Sequence, residues 1–143
     1  MTRGATLLEL AIIVALAALL AAIAVPPVRH WQDRAALDDA AHTLALAHAR
    51  ARLLALVEGR PMLLTAGTER LAVAAVAGAD TALRWSGPGP ERLGVAARGL
   101  PRQVLYATNG LAVGVANATI TLTRGPASAR VIVSRLGRVR LER

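Results

Sequence analysis

The chain is predicted to be an α+β protein, with one long N-terminal helix, half membrane-like and half amphipathic, packed on an antiparallel β-sheet head. Three observations predict this. Residues 10–25 are sixteen apolar residues without interruption. Leu37, Ala40, Leu44, Ala47, Ala51 and Leu54 then recur at spacings of three and four, which sets them on one helical face. From Pro61 onward the apolar period drops to two, with Gly, Asn and Pro between short runs, as successive antiparallel strands require. A helix followed by a run of strands places the helix over one face of the sheet.

The start of the chain has an unusual order. Residues 1–4 (MTRG) are a short basic leader, ATLLE follows, and the apolar run then begins, closed by Pro26-Pro27. A charge inside a hydrophobic span costs about 2.5–3.5 kcal/mol at a helix centre, so Glu9 needs a reason to be there. Residues 5–25 are long enough for a plain membrane anchor, a span needing ~20 residues. Arg3, the apolar run and Ala22-Ile23-Ala24 also supply the three parts of a cleaved secretory signal. Neither of these readings accounts for Gly4 and Glu9 together. Their arrangement resembles the class III leader of type IV pilins and type II secretion pseudopilins. That resemblance implies cleavage by a prepilin peptidase between Gly4 and Ala5. Glu9 then becomes the fifth mature residue and is retained for subunit assembly. The family usually begins its mature chain with Phe, and Ala5 departs from that.

A second helical stretch runs from about 28 to 57 and stops near Glu58-Gly59-Arg60-Pro61, since Gly followed shortly by Pro ends a helix. Arg34, Asp38 and Asp39 lie off the apolar stripe. The prolines at 26 and 27 predict a bend, so residues 5–57 read as one long, bent helix. Candidate strands follow at 62–66, 71–77, 103–107, 111–115, 118–124, 129–134 and 138–141. Asn109-Gly110 suits a hairpin turn. Residues 86–90 (SGPGP) read as a loop, with no strand placed there. The organisation is therefore a leader at 1–4, a transmembrane and assembly helix at 5–27, an amphipathic helix at 28–59 and a β-rich domain at 60–143.

Composition narrows the chemistry. The 143 residues are 55% hydrophobic and carry a net charge of +8, and all seventeen basic side chains are Arg. Only Trp31, Trp85 and Tyr106 are aromatic, so the core is built from Ala, Leu and Val. No Cys is present, which excludes disulfides and zinc–thiolate sites. His30, His42 and His48 show no ligand spacing and read as exposed or partly packed helix residues. No serine lies in a nucleophile elbow. The reading is of a protein that is not an enzyme and has no cofactor or metal.

The last segment is the second informative region. From residue 120 onward six arginines stand against Glu142, a local charge of +5. Such a tail suits phosphates, anionic headgroups or an acidic partner. Ser134-Arg135-Leu136-Gly137-Arg138-Val139-Arg140 resembles the closing motif of the GspH/FimT family, with its Gly-Arg-x-Arg. With the leader, the long helix and the strand-rich head, the resemblance covers nearly the whole chain. It implies a pilin-like fold and a minor subunit of a type II secretion pseudopilus. Such a subunit sits in the bacterial inner membrane with its head in the periplasm. Its partners are prepilin peptidase and other pseudopilins, the latter through the N-terminal helix. The alternative is a FimT-like minor type IV pilin that binds DNA for uptake or pilus assembly. A third reading is a soluble periplasmic binding protein released by signal peptidase I.

In a strand Arg138 and Arg140 point the same way. They are then either a solvated, charged edge or two guanidinium forks for phosphate oxygens. Arg130, or Arg124 and Arg135 at the turns, would extend such a patch around Gly137.

Overall fold

The computed structural model describes residues 6–78, 80–114, 117–134 and 136–142, without the side chains of 23–27. They form two compact units divided between Gln32 and Asp33. One helix, α1 (Leu7–Glu58), contributes to both and runs without a break through Pro26-Pro27. It ends at Gly59, whose φ of +60° is the left-handed conformation that terminates helices, with Pro61 just beyond.

From Leu7 onward the described residues of the first unit are helix. Every described side chain from residue 7 to residue 22 is exposed, and apart from Glu9 all are apolar. Among the described residues no helix is long and apolar enough to cross a membrane. The described side chains of the apolar run end at Ala22, three residues short of its end in the sequence.

The second unit adds nine strands: β1 (Met62–Ala66), β2 (Arg70–Ala77), β3 (Asp80–Pro88), β4 (Ala96–Arg98), β5 (Arg102–Tyr106), β6 (Ala112–Val113), β7 (Ala118–Arg124), β8 (Ala127–Val133) and β9 (Val139–Glu142). A short 3-10 turn, Pro90–Leu93, lies between β3 and β4. They form two antiparallel sheets, in the order β3-β2-β1-β5-β6 and β4-β7-β8-β9. The inward residues of both sheets share one core with α1: Leu37, Leu44, Ala47 and Ala51 from the helix, Met62, Leu64 and Val73 from one sheet, Ile120, Leu122 and Val131 from the other. The predicted stripe is buried from Leu37 to Ala51, and Leu54 is half-buried against the core. Alanines at 40, 47, 51 and 55 keep that helix face shallow, so little side-chain volume separates helix backbone from sheet.

Two expectations need correction. The segment 86–90 is not all loop, because Ser86, Gly87 and Pro88 finish the nine-residue edge strand β3. The Trp85 ring lies over Gly87, where an added Cβ would come within 2.6 Å of it, so the ring covers the backbone that glycine leaves bare. A bulge between Val73 and Ala74 leaves Arg84 as the extra residue of β3, and its Nε pairs with Glu58 at 3.0 Å. Nor is His48 an exposed helix histidine, being only 2% exposed. Of the predicted strands, 62–66 and 118–124 form with the same bounds. The stretch 111–115 is reduced to β6, with Val115 outside the described residues.

Candidate assembly and anion-binding sites

At the N-terminus, Gly4 and Ala5 lie outside the described residues. Glu9 occupies the first turn of α1 and is exposed. Its backbone N–H donates to Thr6 Oγ1 at 3.2 Å. Thr6 is thus the N-cap and Glu9 the third helical position, the S/T-x-x-E arrangement in which the cap oxygen takes an orphan N–H. A carboxylate here also faces the positive end of the helix dipole.

At the other end, Gly137, Arg138 and Arg140 surround the turn between β8 and β9. Ser134 N–H donates to the Arg138 carbonyl at 2.8 Å, Gly137 N–H to the Ser134 carbonyl at 2.9 Å, and Arg138 N–H to Ser134 Oγ at 3.2 Å. Strand β9 begins at Val139, so Arg138 belongs to the turn rather than the strand. Arg138 and Arg140 are exposed, while Val139 and Leu141 pack on the core. Arg135 lies outside the described residues. Arg124 does not extend this patch: its Nε pairs with Asp33 at 3.0 Å and its Nη1 donates to the Leu93 carbonyl. Arg130 lies 3.4 Å from Glu142, a pair with side-chain exposures of 60% and 36%.

A buried support lies beneath the turn. Gly137 is buried at φ +72°, and a Cβ there would stand 3.0 Å from the Tyr106 ring. The Tyr106 hydroxyl shares a 2.7 Å hydrogen bond with His48 Nδ1, its direction set by the imidazole tautomer. His48 Nε2 is buried with no hydrogen-bond partner among the described residues. Burial, and secondarily the Arg102 charge, lowers the His48 pKa to about 4. Burial raises that of the Tyr106 hydroxyl to about 12, against the opposing pull of Arg52. The arginine turn is thus seated on α1 through a neutral His–Tyr pair. Nothing in the sequence pattern pointed to His48, because its partner lies 58 residues away.

The register sets side chains in rows on the outer faces of the two sheets. Across the five-stranded sheet the register aligns Leu83, Ala74, Leu63, Leu105 and Val113 in one apolar row. Across the four-stranded sheet it aligns Arg98, Thr121, Arg130 and Glu142. Thr119 and Arg140 lie beside that second row, each paired to Ile132 of β8 or aligned with it, and Thr123 faces Ser128. Arg98 joins Arg130 and Arg140 on this face through the pairing of β4 with β7. Among the described residues no three His, Cys, Asp or Glu side chains form a group able to hold a metal ion.

No protein-family model matches this chain, and no curated protein matches it. Solved structures do. The type IV minor pilin FimU of Pseudomonas aeruginosa superposes with a TM-score of 0.64 at 20% identity, over 77% of this chain and 90% of that one. A second crystal form of FimU gives 0.61 at 19% identity, over 75% and 93%. The minor pseudopilin EpsH from the Type 2 Secretion System of Vibrio cholerae gives 0.57 at 15% identity, over 74% and 95%. The long helix packed on antiparallel sheets is therefore the pilin-like fold, in the form that a minor pilin and a minor pseudopilin share.

Proposed function

We propose that this chain is a minor subunit of a pilin-type filament in the bacterial inner membrane. The observation that carries the reading is the first half of α1, an apolar helix with every described side chain uncovered, joined to a head of pilin-like fold. Such a surface needs lipid or neighbouring helices. Prepilin peptidase cuts after Gly4, residues 5–25 hold the subunit in the membrane until assembly, and Glu9 pairs with the free amine of a neighbouring subunit's first residue. The head then stands in the periplasm. The filament is the pseudopilus of a type II secretion system, where the subunit is structural and supports protein export.

Intact-mass analysis of the membrane-extracted protein tests this. It should begin at Ala5, and replacing Gly4 with a bulky residue should leave the leader attached. A chain beginning at Val25 would overturn the reading in favour of a cleaved secretory signal.

One observation favours a second reading, a minor type IV pilin that binds DNA. Arg138 and Arg140 are exposed, and no ion pair is recorded for either among the described residues. Two exposed guanidinium groups, Arg138 on the supported turn and Arg140 on the strand that leaves it, suit phosphate oxygens. Duplex binding that disappears when both are replaced by Ala would support this second reading.

A further inference from the structure

We infer that the outer face of the four-stranded sheet, from Arg98 on β4 to Arg140 on β9, is one phosphate-binding track. On this inference Glu142 is the track's built-in counter-ion, held on Arg130 until a phosphate displaces it. The inference rests on the DNA-binding reading and enlarges the site beyond the Gly137 turn.

The register supplies the geometry. Arg98 and Arg130 stand in one row two strands apart, about 10 Å at the usual ~4.8 Å spacing. Arg140 is the diagonal neighbour of Arg130, a relation that spans about 7–8 Å. Thr121 stands between Arg98 and Arg130, Thr119 lies beside it on β7, and the half-buried Ile132 separates Thr119 from Arg140. Guanidinium groups and Ser/Thr hydroxyls are the side chains that contact nucleic-acid phosphates and sugars without reading sequence. The described residues of this face include no aromatic ring, so bases have nothing to stack on and contacts go to the backbone.

The face carries three arginines, Arg98, Arg130 and Arg140, against the single carboxylate of Glu142 among its described residues. That carboxylate faces Arg130 in the register, and both side chains are well exposed. Exposed ion pairs of this kind are weak and screened by salt. Glu142 therefore lowers the charge of the empty track without blocking it.

The test uses the full chain in neutral detergent and a fluorescent 30-base-pair duplex, titrated from about 50 to 200 mM salt. Each phosphate contact adds about 0.9 to the negative log–log slope on duplex. Arg98→Ala should therefore flatten the wild-type slope by about that amount. Glu142→Gln should tighten binding several-fold and steepen the slope. That gain cannot arise from misfolding, and unchanged thermal melts check the Arg98 variant.

If Arg98→Ala and Glu142→Gln bind as wild type while Arg138→Ala with Arg140→Ala weakens binding, the track is overturned and the DNA reading stands. If the wild type binds no duplex even at low salt, both fail. Arg98-dependent binding to phosphatidylglycerol vesicles without duplex binding would also overturn the track, assigning the arginines to lipid headgroups.

Discussion

Between residues 7 and 22 α1 leaves every side chain uncovered, whereas Leu37, Ala40, Ala41, Leu44, Ala47, Ala51 and Ala55 further along are at most 3% exposed. The same leucines and alanines build both stretches. Their surroundings differ through the polar residues between them: the first stretch has only Glu9, while Asp39, His42, Arg50 and Arg52 mark an outward side of the second. A helix that is apolar all round must be covered by something other than its own domain; one with an apolar stripe can be covered by its own sheets. Even the second stretch is not wholly covered, since Leu46, Leu53, Leu56 and Val57 face outward. One half of α1 therefore carries the fold, and the other leaves its described apolar side chains uncovered.

The sharpest separation of the two halves comes from pH. His48 is the buried polar side chain on the covered stripe, and its pKa falls from 6.5 to about 4. Between those values the unfolded chain binds the proton and the folded head does not. The His48 contribution is therefore fully present above pH 6.5 and is lost as pH falls toward 4. A shift of this size corresponds to about 3 kcal/mol. Thermal unfolding of the head should show this loss between pH 7 and pH 4, and His48→Leu should remove most of the dependence. Helicity of the N-terminal half in detergent should not change over the same range. A head whose melting point is flat across that window, or equally steep in the variant, would place the titration elsewhere.

Next in size is a change of volume. Ala51 is wholly buried against the core, and overpacking such a site costs about 1–3 kcal/mol. Ala51→Leu should lower the melting point of the head, whereas Ala17→Leu, in the uncovered half, should leave it unchanged. Equal effects at both positions would erase the distinction between the halves.

Gly137 connects the covered helix to the arginine turn and should show a smaller effect. A side chain at its positive φ costs roughly 1–2 kcal/mol, and the Tyr106 ring adds a steric contact. Gly114, at φ +84° with nothing within 4 Å of an added Cβ, is the control for backbone strain alone. Gly137→Ala should shift the denaturation midpoint further than Gly114→Ala. Equal shifts would mean that the Tyr106 ring yields.

What the sequence revealed follows from the range of the forces involved. The stripe from Leu37 to Ala51, the stop at Gly59 and most of the strands depend on neighbours a few residues apart, and all were legible. Strand β3 was not, because its Gly and Pro are turn residues and its place at the sheet edge is set by pairing with β2. Arg138 and Arg140 stood out as a local motif. Arg98, the Arg124–Asp33 pair and the His48–Tyr106 pair did not, since each depends on a pairing across tens of residues.

The smallest effect on the fold is expected at Glu9, where two roles coincide. As the third residue after an N-cap Thr6, Glu9 helps to start α1, and a glutamine serves that position as well. In the proposed assembly its carboxylate, the single charge among the uncovered apolar side chains of residues 7–22, would pair with a neighbouring subunit's amine, and for that a glutamine would not serve. Glu9→Gln should therefore leave the helical circular dichroism of the detergent-extracted protein unchanged while the subunit drops out of co-purified filaments. Thr6→Ala should do the reverse, fraying the helix start by about 1 kcal/mol with incorporation retained. If the glutamine variant enters filaments as the wild type does, the carboxylate has no part in assembly, and Glu9 is a first-turn residue whose contribution ends at the helix cap.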